Sequence, residues 1–204
     1  AICHMPHIPV LLEEVIRFFE TFHGGMFMDA TVGYGGHTFA ILDRIPESRV
    51  IGIDADASAL AFLEEERKHR GISEDRLILA QGNFRELDRI AEAHHVKNTQ
   101  GILFDFGVSS GELDDASRGF SFLHEGPLDM RFDTSTGVTA AAIVNQWPAY
   151  ALEKCIRDYG EEPHARVIAE AIVRERKAPA PLTTTRALAE LIAKLPVTRR
   201  RGRL

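Results

Sequence analysis

Residues 26–42, MFMDATVGYGGHTFAIL, decide the fold. Met26–Thr31 is a short strand-like run, Gly33-Tyr34-Gly35-Gly36 is a glycine-rich turn, and a helical stretch follows to about Leu42. The rhythm continues downstream. Val50–Ile53 reads as a second strand ending at Asp54, with a helix through Ala57, Leu60 and Ala61. Arg76–Gln81 reads as a third strand followed by a helix over Phe84–Ala93, and Gly101–Phe104 as a fourth ending at Asp105. Upstream, Leu11, Leu12, Val15, Ile16, Phe19 and Phe22 recur at the three-to-four spacing of a helix with one buried stripe, which Gly24-Gly25 stops. Strands alternating with helices in this way predict a parallel sheet covered on both faces.

After Asp105 the rhythm breaks. Residues 108–137 are rich in Gly, Ser and Asp with no sustained period and read as an ordered surface segment. Helical patterns then follow: Leu152, Cys155, Ile156 and Tyr159 share one face, as do Val167, Ile168, Ala171 and Ile172. Leu188, Leu191, Ile192 and Leu195 form another, with Thr183–Thr185 available as N-caps and Pro179 and Pro181 separating the last two helices. The expected organisation is an α/β half and then a helical half. Four strands are few for a doubly wound sheet, so the α/β part reads as unfinished.

With 204 residues, 45% hydrophobic and 26% charged, the chain has the balance of an ordinary globular protein. Its net charge of −6 disfavours indiscriminate coating of nucleic acid, although not a localised basic contact such as the arginines at 199, 200, 201 and 203. No apolar run is long enough for a membrane-spanning helix, and no secretory signal is visible. Cys3 and Cys155 make neither a disulfide framework nor a zinc cluster, so a soluble protein of a reducing compartment is expected. Residues 1–5, AICHM, read as a cloning remnant.

Open parallel sheets bind ligands beyond the carboxyl ends of their strands. Asp29, Gly33, Gly35, Asp54 and Asp105 all fall at such ends. A dinucleotide fingerprint G-x-G-x-x-G is matched at Gly33 and Gly35 but has Thr38 at its third position, and there is no P-loop lysine. Asp29 suits a cationic ligand group better than a pyrophosphate. Asp54 stands where a carboxylate accepts hydrogen bonds from two ribose hydroxyls, and the Phe84 ring could cover an adenine face. Together these favour S-adenosyl-L-methionine over a dinucleotide. Asp56 reads as a helix cap, and His94-His95 as a helix end rather than a metal-ligand pair; no metal is expected.

The segments HIPVLLEEV (7–15), DATVGYGGHT (29–38), FDFGVSSGELDDASRGFSF (104–122), GPLDMRFD (126–133) and YGEE (159–162) resemble the bacterial 16S ribosomal RNA cytosine-N4 methyltransferase family, the RsmH/MraW type. The resemblance runs over nearly all of residues 6–204. It implies a Rossmann-like α/β methyltransferase sheet split by an inserted helical domain, with residues 6–110 as the first part of the cofactor domain and 111–204 as the insert, cut short at its C-terminal end. It implies S-adenosyl-L-methionine as cofactor and 16S rRNA of the small ribosomal subunit as partner, with no membrane or DNA partner and a cytoplasmic location. Carried over residue by residue, Gly35, Gly36 and His37 would contact the cofactor, Asp54 would hold the ribose, and Phe84 and Asp105 would line the adenine and methionine ends. Glu112 occupies a cofactor-contacting position that is usually glutamine.

Catalysis at a delocalised amine requires alignment and a proton acceptor. The stretch Asp105 to Ser109-Ser110 is the natural place for one, and Asp105 is the candidate catalytic residue. Arg131, between Asp129 and Asp133, is expected to pair a carboxylate or a phosphate, and Arg166, Arg174, Arg176 and Lys177 are candidates for phosphate contacts. Two functions are weighed: an rRNA methyltransferase, and a non-catalytic truncated fragment that retains cofactor or RNA binding only. An uncovered fourth strand would expose Ile102 and Phe104, to be covered by a second copy in a homodimer or left aggregation-prone.

Overall fold

The computed structural model describes residues 9–108, 110–177 and 181–196. The leader at 1–5, Ser109, Pro179 and the arginine tail at 199–203 lie outside the described residues. The chain divides into two compact units, residues 1–109 and 110–204.

The first unit alternates as the sequence pattern predicts. Helix α1 (Leu12–Glu20) precedes β1 (Gly25–Asp29), α2 (Gly36–Arg44), β2 (Ser48–Asp54), α3 (Ala57–His69) and β3 (Leu77–Gln81). A single 3-10 turn over Phe84–Glu86 then leads into α4 (Leu87–Ala93) and β4 (Thr99–Leu103). The expected helix at Phe84–Ala93 is therefore two pieces. Asn83 explains the break, because its side chain caps the 3-10 turn by accepting the Arg85 N–H. Asp56 is the N-cap of α3, accepting the Ser58 N–H at 2.9 Å, and His94 ends α4.

All pairings within the sheet are parallel and the strand order is β3-β2-β1-β4. Register alternation sorts the side chains. Phe27, Val50 and Leu77 align on one face, where Ile16 and Phe19 of α1, Ile41 of α2 and Leu63 of α3 cover them. Met28, Ile51, Ile53 and Ala80 face the other way, toward Leu87, Ile90 and Ala91 of α4. Ile51, Ile53, Val50 and Phe27 are fully buried, each such side chain contributing about 1.5–3 kcal/mol of burial. The sheet is thus held by a two-sided apolar sandwich. At β4 this cover thins, and Ile102, Phe104 and Phe106 are exposed.

The order places β1 at a branch. From β1 the chain winds through β2 and β3 to one side, and β4 returns on the other, so a crevice opens between the carboxyl ends of β1 and β4. Such a topological switch point is where open α/β sheets bind ligands.

The second unit holds α5 (Ser110–Asp114), α6 (Ala140–Gln146), α7 (Ala149–Gly160), α8 (Ala165–Glu175) and α9 (Thr185–Ala193). Leu128, Val144, Leu152, Ile168, Ile172, Leu182 and Leu195 form its own core. Helix α6 goes beyond the sequence reading; Thr139 caps it by accepting the Ala142 N–H at 3.1 Å. The cap of α9 is Thr184. Asn145 ties α6 to the approach of α9, donating to the Leu182 carbonyl at 2.7 Å and accepting the Leu182 N–H at 3.1 Å.

Candidate cofactor and methyl-transfer site

The site of the first unit is built where β1, β2, β3 and β4 end. After Asp29 the chain turns through Gly33 (φ 49°) and Gly35 (φ 81°) into the first turn of α2. These left-handed conformations strain any residue with a Cβ. Gly35 has a second constraint: an added Cβ would lie 2.5 Å from Leu63 Cδ2 and 2.8 Å from the Phe39 ring. The turn is therefore packed directly on α3.

Asp54 holds this turn from β2. Its Oδ2 accepts the Gly33 N–H at 2.8 Å and its Oδ1 the Asp56 N–H at 2.9 Å. A carboxylate has about four acceptor positions, so acceptor capacity remains for a ligand. Burial raises the Asp54 pKa above the ordinary aspartate range, against the backbone N–H groups of Asp56, Gly33 and Ala55 that lower it.

Asp29 is placed differently from a residue that greets a ligand. It is 1% exposed and its carboxylate is used internally. Oδ2 accepts the Thr38 hydroxyl at 2.7 Å, and Oδ1 accepts the Thr31 N–H at 3.3 Å. Desolvation pushes its pKa up to about 6, with Asp54 and Asp105 adding repulsion. Thr38, the residue that departs from the dinucleotide fingerprint, is thus the link that fastens α2 to the end of β1.

Asp105 stands across the crevice, its side chain 44% exposed. Its backbone N–H donates to Thr31 Oγ1 at 2.7 Å. Its Oδ2 lies 3.6 Å from Nε2 of His37, an electrostatic contact longer than a hydrogen bond. His37 is buried, and burial lowers its pKa more than Asp105 raises it. Its Nδ1 is buried with no hydrogen-bond partner among the described residues. Gly36, beside it, is exposed.

Phe84 completes the set from the β3 side. Its ring is half exposed and meets Phe106 at 5.3 Å and Phe104 at 6.1 Å. Asp29, Gly33, Gly35, Gly36, His37, Asp54, Phe84 and Asp105 therefore all belong to the carboxyl-end rim of one sheet. Glu112 lies on α5 in the second unit, buried, with Oε1 3.7 Å from Nη2 of Arg118. Arg131 pairs a carboxylate: it grips Asp129 through Nε and Nη2, both at 2.8 Å. Arg176 is spent on the Val144 and Trp147 carbonyls, and Arg166 on Glu170. The residues the sequence reading passed over are Thr31 and Thr38.

A parallel sheet with a glycine turn after its first strand and carboxylates at the tips of β2 and β4 defines a Rossmann-like domain of the methyltransferase type. The chain belongs to the MraW methylase family, which matches residues 4–204. It is 46% identical over 198 residues to the ribosomal RNA small subunit methyltransferase H of Thermomicrobium roseum, covering 95% of this chain and 59% of that protein. The protein of the same name from Persephonella marina is 44% identical over 97% of this chain and 66% of its own length. That of Symbiobacterium thermophilum is 42% identical over 96% and 61%. The chain thus spans about three-fifths of the length of these relatives.

Proposed function

We propose that this protein methylates the exocyclic N4 amine of a cytidine in 16S rRNA of the small ribosomal subunit, with S-adenosyl-L-methionine as donor. The observation that carries the reading is the rim itself: Asp54 and Asp105 present free carboxylate positions on either side of a backbone turn, at the switch point of the sheet. The family membership and the names of the relatives support the RNA substrate.

The residues fit the donor. Asp54 keeps acceptor capacity for a ribose hydroxyl, Phe84 offers a half-exposed ring to a purine, and His37 Nδ1 is a buried polar atom without a partner among the described residues. Gly33, with room where a Cβ would stand, lets a ligand approach the backbone, and Gly35 and Gly36 carry the turn beside it. When bound, the donor supplies an electrophilic methyl group on a positively charged sulfur, released as a neutral thioether. The protein orients and desolvates. Asp105 accepts a hydrogen bond from the target amine, aligns its nitrogen and takes up the proton that the nitrogen releases as it bonds the methyl carbon and the carbon–sulfur bond breaks. Asp54, Asp105 and the buried Asp29 make the crevice electronegative, which suits a cationic donor.

The second unit reads as a helical domain inserted into the cofactor sheet. The substrate reading brings with it a cytoplasmic location and no DNA or membrane partner. No helix among the described residues is long and apolar enough to cross a membrane. The test is methyl transfer from labelled donor to purified small subunits and to naked duplex DNA. Transfer to subunits in large excess, with N4-methylcytidine recovered after digestion, is expected. Equal transfer to both would remove the RNA substrate from the reading.

A further inference from the structure

We propose that Thr31 is a positioning residue for Asp105, its hydroxyl pinning the chain beyond β4 so that the carboxylate stays on the His37 side of the crevice. The last backbone link between β1 and β4 is the Ala30 N–H donated to the Leu103 carbonyl at 2.9 Å. Two residues later the link is made by a side chain, the Asp105 N–H donating to Thr31 Oγ1 at 2.7 Å across 74 residues of sequence. The Thr31 hydroxyl thus extends the ladder past the point where the strands diverge.

Thr31 is itself fixed. Its N–H donates to Asp29, Asp29 accepts the Thr38 hydroxyl, and Thr38 follows His37 in the first turn of α2. His37 then faces Asp105 at 3.6 Å. The contacts close a ring, α2 to β1 to β4 and back to α2, in which the Thr31 hydroxyl makes the step from the end of β1 to Asp105. On the opposite side of the strand, Phe104 and Phe106 stack at 5.4 Å and 29°, leaving Asp105 between them directed at His37. Valine at 31 would keep the shape and lose the acceptor. The Asp105 N–H would then turn to solvent, and the carboxylate would no longer be held in one direction.

The proposal rests on the reading that Asp105 serves the methyl-transfer site, but its first test does not need a bound donor. Asp105 is the charged group acting on His37, raising its pKa against the lowering by burial. Asp29 and Asp54, the other carboxylates of the rim, are kept in every variant. The His37 ring is titrated by NMR in the wild type, Thr31→Val, Thr31→Ser and Asp105→Asn, with melting temperature recorded for each. Thr31→Val should move the His37 titration in the same direction as Asp105→Asn, while Thr31→Ser, which restores the hydroxyl, should match the wild type. In calorimetry with S-adenosylhomocysteine, Thr31→Val should weaken binding by about three- to tenfold, the scale of one hydrogen bond, and serine should rescue it. A His37 titration unmoved in Thr31→Val, or a serine variant that behaves as valine does, overturns the proposal. Thr31→Ala repeats the test if valine disturbs the fold. A wild type that fails to bind the nucleoside while His37 responds as expected would refute the donor reading and leave the positioning role standing.

Discussion

Asp29 is the most informative single group in the first unit, because burial and ionisation oppose each other there. It is 1% exposed, and its pKa of about 6 stands above the ordinary 3.8. The folded state therefore binds the proton more tightly than the unfolded chain does. The stability this provides is fully present below pH 3.8 and is lost as pH rises through about 6. A shift of about two units corresponds to about 3 kcal/mol, of which about 2–3 kcal/mol falls between pH 4 and 7. Asp29→Asn removes the titration and keeps the shape. Its Oδ1 can accept the Thr31 N–H, and its amide can donate to the Thr38 hydroxyl, which turns to accept. Urea unfolding should be followed through methyl signals of Ile51 and Ile53, which report on the sheet. The wild type should lose about 2–3 kcal/mol relative to Asp29→Asn on going from pH 4 to pH 7. A stability difference that stays constant over that range would show that Asp29 is not desolvated as described, and the account of the buried carboxylate would fall.

Asp54→Ala should weaken S-adenosylhomocysteine binding by about 1–3 kcal/mol in calorimetry, the scale of hydrogen bonds to a charged group; unchanged affinity would remove Asp54 from the ribose position. Gly35→Ala should destabilise the sheet by about 2–4 kcal/mol, combining a left-handed φ with overlap on Leu63 and Phe39, and thermal melting no different from wild type would contradict that packing. In the second unit, Arg131→Ala should lower the midpoint of urea unfolding followed by Trp147 fluorescence. Arg131→Lys should recover little of that loss, since a single ammonium cannot reproduce the two-pronged grip on Asp129; full recovery by lysine would mean that charge alone matters.

Much of the first unit was legible because its signals are local. A strand of about five residues followed by a glycine turn and an amphipathic helix is written in adjacent positions, and so are the caps at Asp56 and Thr184. Asp29, Asp54 and Asp105 could be assigned to strand ends for the same reason. What they do there could not. Asp29 and Asp54 have the same residue type at equivalent places, yet one is sealed under Thr38 and the other keeps acceptor positions open.

The difference does not come from strand order, since β1 and β2 are both interior strands. It comes from what lies over each tip: Thr38 of α2 and the Thr31 N–H close over Asp29, whereas Asp54 meets the backbone N–H groups of Gly33 and Asp56 and stays part-exposed. Sequence pattern alone leaves the neighbours of each strand open. The bond from Asp105 to Thr31 joins residues 74 apart, and nothing in either segment announces the other. Arg131 shows the same limit at short range: sequence admits a carboxylate or a phosphate, and only the folded segment brings Asp129 to both of its donors. Sequence by itself determined the alternation, the turn chemistry and the family. Tertiary structure decided which polar groups are consumed in holding the rim together and which remain for a ligand, because that depends on burial and on partners supplied by distant parts of the chain.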